Sequence, residues 1–318
     1  MNPELLEILA CPSCRATDLE ASHEDAIVCP TCGASYPINN GIPSMLPPHL
    51  ATTLSRKDEY TDRLMQSMRR GRDLCDPGDP EADRFMWEHH LYNWGKRVIY
   101  SDLRAGEIFS SYATDGARKI CDFITQRCGE VAGKRLLYVG SGNDSLVALP
   151  LEKLGAFMVN MDVVSDSMQD LIAAGARHCV CGDARRLPFR DAAFDIAFTK
   201  GSLHHSQPID TPLEEMARVT RQGGYIIAAE PNRYAFLRRF PMPAGLGHPT
   251  PYERAISSRQ VRRILSSQGV RDFTTVAFTP AHPATPPPLA RAWQAIGRVA
   301  PWLLARFAFE FILCGRKA

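Results

Sequence analysis

The stretch from Lys134 to Asp162, KRLLYVGSGNDSLVALPLEKLGAFMVNMD, constrains the rest of the chain most. An apolar run (Leu136, Leu137, Tyr138, Val139) stops at a glycine turn, Gly140-Ser141-Gly142. A helix is predicted over Ser145–Leu154, and a second apolar run ends on Asp162. Strand, tight turn, helix and strand in that order make the first half of a nucleotide-binding α/β unit. The glycines let backbone approach a ligand closely. An acid about 20 residues further on is placed to accept hydrogen bonds from ribose hydroxyls. Gly-x-Gly turns are common, so the reading gains its strength from the residues beyond Asp162.

Downstream, strands and helices keep alternating. Ser165–Gly175 reads as a helix, Arg177–Cys181 as a strand, and Phe194–Thr199 as a further strand ending in KGSLHH (Lys200–His205). Thr211-Pro212-Leu213-Glu214 predicts a helix capped by Thr211 with Pro212 at its first position, running to Gly223-Gly224. Tyr225–Glu230, Val270–Phe278 and Phe307–Cys314 read as strands, and Ser257–Gln268 as a helix stopped by Gly269. This alternation means an α/β, Rossmann-like, mainly parallel sheet covered on both faces. Ligands bind such sheets at the carboxyl ends of the strands. Gly140, Asp162, Asp183 and the segment from Lys200 all fall there.

The front of the chain is organised differently. Cys11-Pro-Ser-Cys14 and Cys29-Pro-Thr-Cys32 are two C-x-x-C pairs with 14 residues between them. Each pair places two thiolates on one turn, and together Cys11, Cys14, Cys29 and Cys32 supply the tetrahedral four-sulfur set of zinc. With four protein ligands that zinc would be structural, and so short a segment could hardly fold without it. Together with YPINNGIPSMLP (Tyr36–Pro47), the segment resembles the zinc ribbons of small methyltransferase-activator proteins, which are also fused to the front of some bacterial methyltransferases.

Composition narrows the class. Apolar residues make up 45% and charged residues 23% of the 318, with a net charge of +2, so nothing demands a polyanionic partner. No stretch approaches a membrane span and MNPELLEILACP is not a signal peptide, which points to the cytoplasm and to metal ligands or buried thiols for the ten cysteines. Three domains are expected: a zinc ribbon over residues 1–48, a helical linker or lid over 49–129, and a catalytic domain over 130–318. In the linker, DPGDP (Asp76–Pro80) precedes an aromatic cluster from Phe85 to Trp94. Trp87, Tyr92 or Trp94 could face a ligand, or the cluster could simply dock the segment. His89 and His90 read as packing or surface residues.

GSGNDS, Asp162, GDARRLPFRDAAFDIAFTKGSLHH and EEMARVTRQGGYIIAAEPN together resemble class I S-adenosylmethionine-dependent methyltransferases of the type 11 kind, whose sheet has seven strands. The resemblance implies S-adenosylmethionine as cofactor. Gly140, Ser141 and Gly142 would lie against its methionine and ribose portion, with Asp162 and Val163 at the ribose. Asp183 and Ala184 would sit at the adenine, and Lys200 and Gly201 on the floor near the sulfonium. An uncharged adenosine needs acceptors for its hydroxyls and amine rather than a cradle for phosphate, which disfavours a dinucleotide dehydrogenase. Two positions depart from the family. Tyr138 stands where an acid is usual and Asp144 where a third glycine is usual. Asp144 reads either as a helix N-cap or as a replacement partner for the sulfonium or amino group. Pro150 inside the expected helix implies a late start or a bend.

Methyl transfer from a sulfonium is an in-line displacement that depends on positioning and water exclusion. A base is needed only where the acceptor must lose a proton. His204 and His205 are the natural candidates, and Glu230 and Tyr138 are further first-contact candidates; a packing or loop role is the plainer alternative for each. Asp191 and Asp195 suit the turn before the fourth strand. Leu289, Trp293, Ile296 and Ala300 make an apolar face that could cover the acceptor, meet lipid or pack on the sheet. Arg238, Arg239, Arg259, Arg262 and Arg263 suit nucleic acid or a solvated face.

The expected acceptor is a small metabolite or natural product. The alternatives are aminocarboxypropyl transfer or intramolecular cyclisation releasing methylthioadenosine, RNA methylation, and a non-catalytic scaffold. Nothing in the sequence speaks to oligomeric state.

Overall fold

The computed structural model describes residues 2–22, 25–46, 103–163, 165–206, 208–235, 255–279, 287–300 and 305–318. The aromatic cluster at 85–94, the DPGDP break, Arg238 and Arg239 lie outside these residues, as does the side chain of Trp293.

The N-terminal module opens with helix α1 (Pro3–Ile8), where Asn2 caps the first turn by accepting from Glu4 N at 2.7 Å. Four short antiparallel strands come next, adjacent in chain order: β1 (Glu20–Ser22), β2 (Ala26–Val28), β3 (Ser35–Asn39) and β4 (Ile42–Pro43). Helix α2 (Leu103–Cys128) leads to the main sheet. Its strands are β5 (Arg135–Val139), β6 (Phe157–Asp162), β7 (Cys179–Cys181), β8 (Phe194–Lys200), β9 (Thr220–Pro231), β10 (Val270–Thr279) and β11 (Glu310–Lys317). The connecting helices are α3 (Ser145–Lys153), α4 (Ser165–Ala173), α5 (Asp210–Val219), α6 (Ser258–Ser267) and α7 (Pro287–Val299).

The seven strands lie in the order β10-β11-β9-β8-β5-β6-β7, with β11 running against its neighbours. Strand order therefore reverses at β5, which pairs in parallel with β6 on one side and β8 on the other. Side chains sort between two faces with period two. Leu137, Val139, Ala197, Ile226 and Ala228 face one core with α5 and α6, while Leu136, Tyr138, Phe198, Ile227 and Ala229 face another with α2 and α3. Because both faces are covered, β5 is an unbroken apolar run rather than an alternating one.

Several local expectations shift. Helix α5 begins at Asp210 with Ile209 in the capping position, so Thr211 is not the cap. Pro212 is tolerated because the first-turn N–H groups have no intrahelical partner anyway. The same helix ends at Val219, not at the glycines: Thr220 is extended and its hydroxyl donates to Met216 O at 2.7 Å. Gly223 and Gly224 instead serve the start of β9. Gly223 is left-handed, and a Cβ on Gly224 would meet Asp195 O at 2.7 Å. Pro150 lies within α3, which starts at Ser145 without delay. The last strand runs Glu310–Lys317, three residues later than predicted at each end. No helix among the described residues is long and apolar enough to cross a membrane.

The N-terminal module shares the core of the main sheet. Leu5, Ile8, Leu9, Cys11 and Ile27 belong to the same buried cluster as Leu137, Phe189 and Met216. Beside the sheet edge, Ser44 bridges Cys181 and Met45 N donates to Cys181 O at 2.8 Å, so the β7 edge is covered rather than open. The loop after β7 is held by the module at several points: Ala10 N on Pro188 O, Arg190 N on Ile8 O, Arg186 on Ser13 O and Arg15 on Leu187 O.

At the centre of this seam is Glu215 on α5, 7% exposed. It accepts from Leu187 N at 2.8 Å, from Arg218 through both carboxylate oxygens at 2.8 Å, and from Arg15 at 2.9 Å. Removing one partner of a buried ion network leaves the others desolvated and unpaired. Glu215→Ala is therefore expected to lower unfolding free energy by about 3 kcal/mol. Arg15→Ala, whose side chain is 37% exposed, should cost only about 1 kcal/mol. Urea unfolding midpoints of the two variants check this order.

Candidate active site and metal centre

The carboxyl ends of β5, β6, β7 and β8 lie side by side and carry most of the residues singled out in the sequence. At β5, Gly140 and Ser141 donate backbone hydrogen bonds to Met161 O at 2.8 and 3.0 Å, which folds the turn over the neighbouring strand. Gly142 N then donates to Asp162 Oδ2 at 2.8 Å. Gly140 is left-handed at φ 68, and a Cβ there would lie 2.4 Å from Ser202 Cβ. Only glycine permits this contact between the turn after β5 and the loop after β8.

Asp183, 8% exposed, follows β7 and caps the single turn Ala184–Arg186. Its carboxylate also takes the Arg185 guanidinium, with Nε at 3.0 and 2.9 Å from its two oxygens. Val163 O accepts from the Cys181 thiol. Gly201 is left-handed and donates to Ala229 O, which turns the chain away from the end of β8.

Asp144 stands at the capping position of α3 but its side chain makes no capping hydrogen bond. Its Oδ2 instead accepts from Lys200 Nζ at 2.9 Å and from the Tyr138 hydroxyl at 3.0 Å. Tyr138 is buried and stacks on Phe198 with ring centroids 4.5 Å apart. The two positions that depart from the family pattern are thus in direct contact, and Lys200 joins them at the same carboxylate.

Glu230, fully buried near the end of β9, gathers the loop after β8. Its oxygens accept from Ser202 N at 3.2 Å, Leu203 N at 2.9 Å and His204 N at 3.4 Å, and Oε2 lies 2.8 Å from His204 Nδ1. His204 is 6% exposed. His205 belongs to the same short turn, Leu203–His205. Thr199 and Ser202, which the sequence did not mark, bridge this loop to β5: their hydroxyls lie 2.6 Å apart and Ser202 Oγ donates to Val139 O at 3.1 Å. Short polar residues next to Gly-x-x-His carry no distinctive pattern, so only the fold reveals them.

The remaining candidates lie elsewhere. Asp191 pairs with Arg218 in the turn before β8, whereas Asp195 lies within β8 and ties it to its neighbours, accepting from Arg135 N on β5 and from Arg221 on β9. Arg259 and Arg263 are exposed, and Arg262 lies over the Phe273 ring. On α7, Leu289 is 60% exposed.

At the N-terminus the four thiols lie within 4.8 Å of one another, with Cys11–Cys32 at 3.7 Å and Cys14–Cys29 at 3.6 Å. Four sulfurs each about 2.3 Å from a tetrahedral ion are about 3.8 Å apart, which the Cys11–Cys32 and Cys14–Cys29 distances approach. Both turns have the same closure, Arg15 N on Cys11 O and Gly33 N on Cys29 O, each at 2.8 Å with a left-handed residue. Arg15 adopts the conformation that glycine supplies in the second turn, and its side chain reaches Glu215. The thiols resist ionising together. For Cys11, burial raises the pKa but hydrogen bonds from Tyr36 and the backbone bring it down to about 7. For Cys14, a backbone hydrogen bond at Ala16 favours the thiolate, yet burial and the neighbouring cysteines push the pKa up to about 12. A soft divalent cation removes that conflict.

Gly140→Ala tests the turn. A left-handed Cβ facing Ser202 with no room to relax should destabilise the protein by at least about 2 kcal/mol. Thermal and urea unfolding would read this, while Gly201→Ala, whose Cβ meets nothing within 4 Å, should cost about half as much.

Parts of this chain are similar to known proteins. Residues 137–228 match the Methyltransferase domain family, and residues 2–41 match the Trm112p-like protein family. A demethylmenaquinone methyltransferase of Mycobacterium marinum is 36% identical over 101 residues, covering 31% of this chain and 42% of that protein. One from Beutenbergia cavernae is 34% identical over 124 residues, covering 36% of this chain and 50% of that protein. The chain thus spans about half the length of these curated relatives. A solved SAM-dependent methyltransferase from Archaeoglobus fulgidus superposes with a TM-score of 0.47 at 15% identity, over 63% of this chain and 94% of its own. The similarity to the Methyltransferase domain family thus falls on the part of the sheet that carries the glycine turn, and the similarity to the Trm112p-like family falls on the four-cysteine segment.

Proposed function

We propose that this protein is an S-adenosylmethionine-dependent methyltransferase acting on a small-molecule acceptor, with a structural zinc ion in its N-terminal module. The observation that carries the reading is the alignment of Gly142, Asp162, Asp183 and Lys200 along one rim of the sheet, on four adjacent strands. The match to the methyltransferase domain family supports the same reading. S-adenosylmethionine, bound there, supplies an electrophilic methyl group.

The chain's own residues would divide the remaining work. Asp162, at the tip of β6, offers its carboxylate to the ribose hydroxyls, and its hydrogen bond to Gly142 N holds the glycine turn against the ligand. Asp183 and Ala184 receive the adenine at β7. On the acceptor side, Glu230 positions His204: a carboxylate at Nδ1 holds the proton on that nitrogen and puts the basic lone pair on Nε2. His204 Nε2 then takes the proton from an acceptor hydroxyl or carbon acid, with His205 in the same turn. Glu230 acts through His204 and the loop. Burying the carboxylate and imidazole together keeps water from competing for that proton. The curated relatives are named demethylmenaquinone methyltransferase, which supports a small-molecule acceptor.

Zinc is supported by the clustering of the four thiols within 4.8 Å of one another. Native mass spectrometry should find one zinc ion per chain. Chelation should lower the melting temperature and expose the Leu5, Ile8 and Leu9 face to hydrophobic dyes, because that face is part of the shared core. An unchanged melt after complete zinc removal would contradict a structural ion.

Calorimetry with S-adenosylhomocysteine tests the cofactor. Asp162→Ala should weaken its binding by at least about tenfold and leave the zinc content unchanged. Retained affinity would overturn the role given to Asp162. Product analysis identifies the bond broken, since methyl transfer leaves S-adenosylhomocysteine whereas aminocarboxypropyl transfer or cyclisation leaves methylthioadenosine.

A further inference from the structure

Two departures from the family pattern meet at one carboxylate. An acid is missing at 138, where Tyr138 stands, and an acid is present at 144 in place of a glycine. An aspartate in the capping position of a helix ordinarily accepts from the first-turn N–H groups and stabilises the helix by about 1 kcal/mol. Asp144 makes no such bond. Its Oδ2 reaches instead to Lys200 at the tip of β8 and to Tyr138 at the tip of β5, so one carboxylate ties together three separate pieces of chain.

The two substitutions are chemically coupled. An acid at 138 would add a second negative charge to the corner that already holds Asp144, and like charges close together disfavour each other's ionisation. A tyrosine hydroxyl donates to Asp144 without adding charge. The negative charge of this corner has thus moved from the strand tip to the turn, and the residue in the vacated place hydrogen-bonds to it.

Position along the rim says what this charge pair faces. The strand ends run β8, β5, β6, β7. With the adenine side at Asp183 on β7 and the ribose side at Asp162 on β6, the chain attached to the ribose 5′ carbon extends towards β5 and β8. That is where Asp144 and Lys200 sit, each side chain about one-fifth exposed at 19% and 20%. Helix α2 crosses above them at Gly116, where a Cβ would lie 3.7 Å from Lys200 Cε and 3.4 Å from Phe278 Cζ. A partly buried anion and cation side by side are the complement of a zwitterion.

We propose that the Asp144–Lys200 pair is the clamp for the α-amino-acid end of the adenosyl ligand. Asp144 receives the ammonium, Lys200 receives the carboxylate, and Tyr138 holds Asp144 in place. This deepens the S-adenosylmethionine reading and rests on it. Asp144 and Lys200 pair with each other at 2.9 Å, and a bound zwitterion would replace that one internal pair with two.

Calorimetry with three ligands tests the clamp: S-adenosylhomocysteine, its decarboxylated analogue, which keeps the ammonium alone, and methylthioadenosine, which has neither charge. The wild-type protein should prefer S-adenosylhomocysteine to methylthioadenosine by at least about thirtyfold. Asp144→Asn should weaken S-adenosylhomocysteine and the decarboxylated analogue by at least about tenfold while methylthioadenosine changes less than about twofold. Lys200→Met should weaken S-adenosylhomocysteine comparably but leave the decarboxylated analogue unaffected. Tyr138→Phe, which keeps the stack on Phe198, should move the preference in the same direction by a smaller factor. A wild-type preference under about threefold overturns the clamp without any variant. So does a parallel loss for all three ligands in folded variants, which marks the pair as purely structural. Failure of the wild type to bind any of the three would instead refute the S-adenosylmethionine reading itself.

Discussion

Two-sided burial of β5 is the constraint on which this molecule depends. Leu136 and Tyr138 face one core while Leu137 and Val139 face the other, so helices must cover both sides of the strand. Because β5 pairs in parallel with β6 on one side and β8 on the other, the chain leaves these neighbouring strands towards opposite faces. The crevice at their carboxyl ends results from that divergence. Gly140 keeps the crevice narrow by letting the turn after β5 rest against Ser202.

Polar groups buried around the crevice are used with little redundancy. Glu230 collects three consecutive backbone N–H groups and the His204 imidazole, which turns an irregular loop into a fixed one. A fully buried carboxylate is tolerated because donors surround it. Asp144 ties the tips of β5 and β8 to the start of α3. Asp162 does the same for the glycine turn. Glu230 and Asp162 therefore order backbone, while Asp144 joins side chains from two strand tips.

The N-terminal module is joined to this framework by core and by hydrogen bonds rather than tethered to it. Its apolar side chains lie in the cluster that also holds Leu137 and Met216. Ser44 and Met45 cover the β7 edge, and the loop from Arg186 to Arg190 is held from Ile8 to Thr17. Arg15 illustrates the link between the cysteine turns and the domain. Its left-handed backbone closes the first cysteine turn, and that same turn aims its guanidinium at Glu215. The four-cysteine segment and the loop carrying Asp183 are parts of one packed unit.

Local pattern alone determined a good deal: the alternation of strands and helices, the glycine turn, the acids ending β6 and following β7, and the paired cysteines. These are legible because backbone geometry and metal ligation act over a few residues, leaving spacing as their trace. Helix ends were less legible, since Thr220 closes α5 by bonding back to Met216 while the nearby glycines serve the next strand. Only the tertiary structure decided that Asp144 leaves its cap for Lys200, 56 positions away, and that Glu230 grips the loop before α5. It likewise decided that Arg15 reaches Glu215. Such contacts join residues far apart in the chain, whose proximity is set by sheet order and packing, and neither leaves a mark in the sequence near either partner.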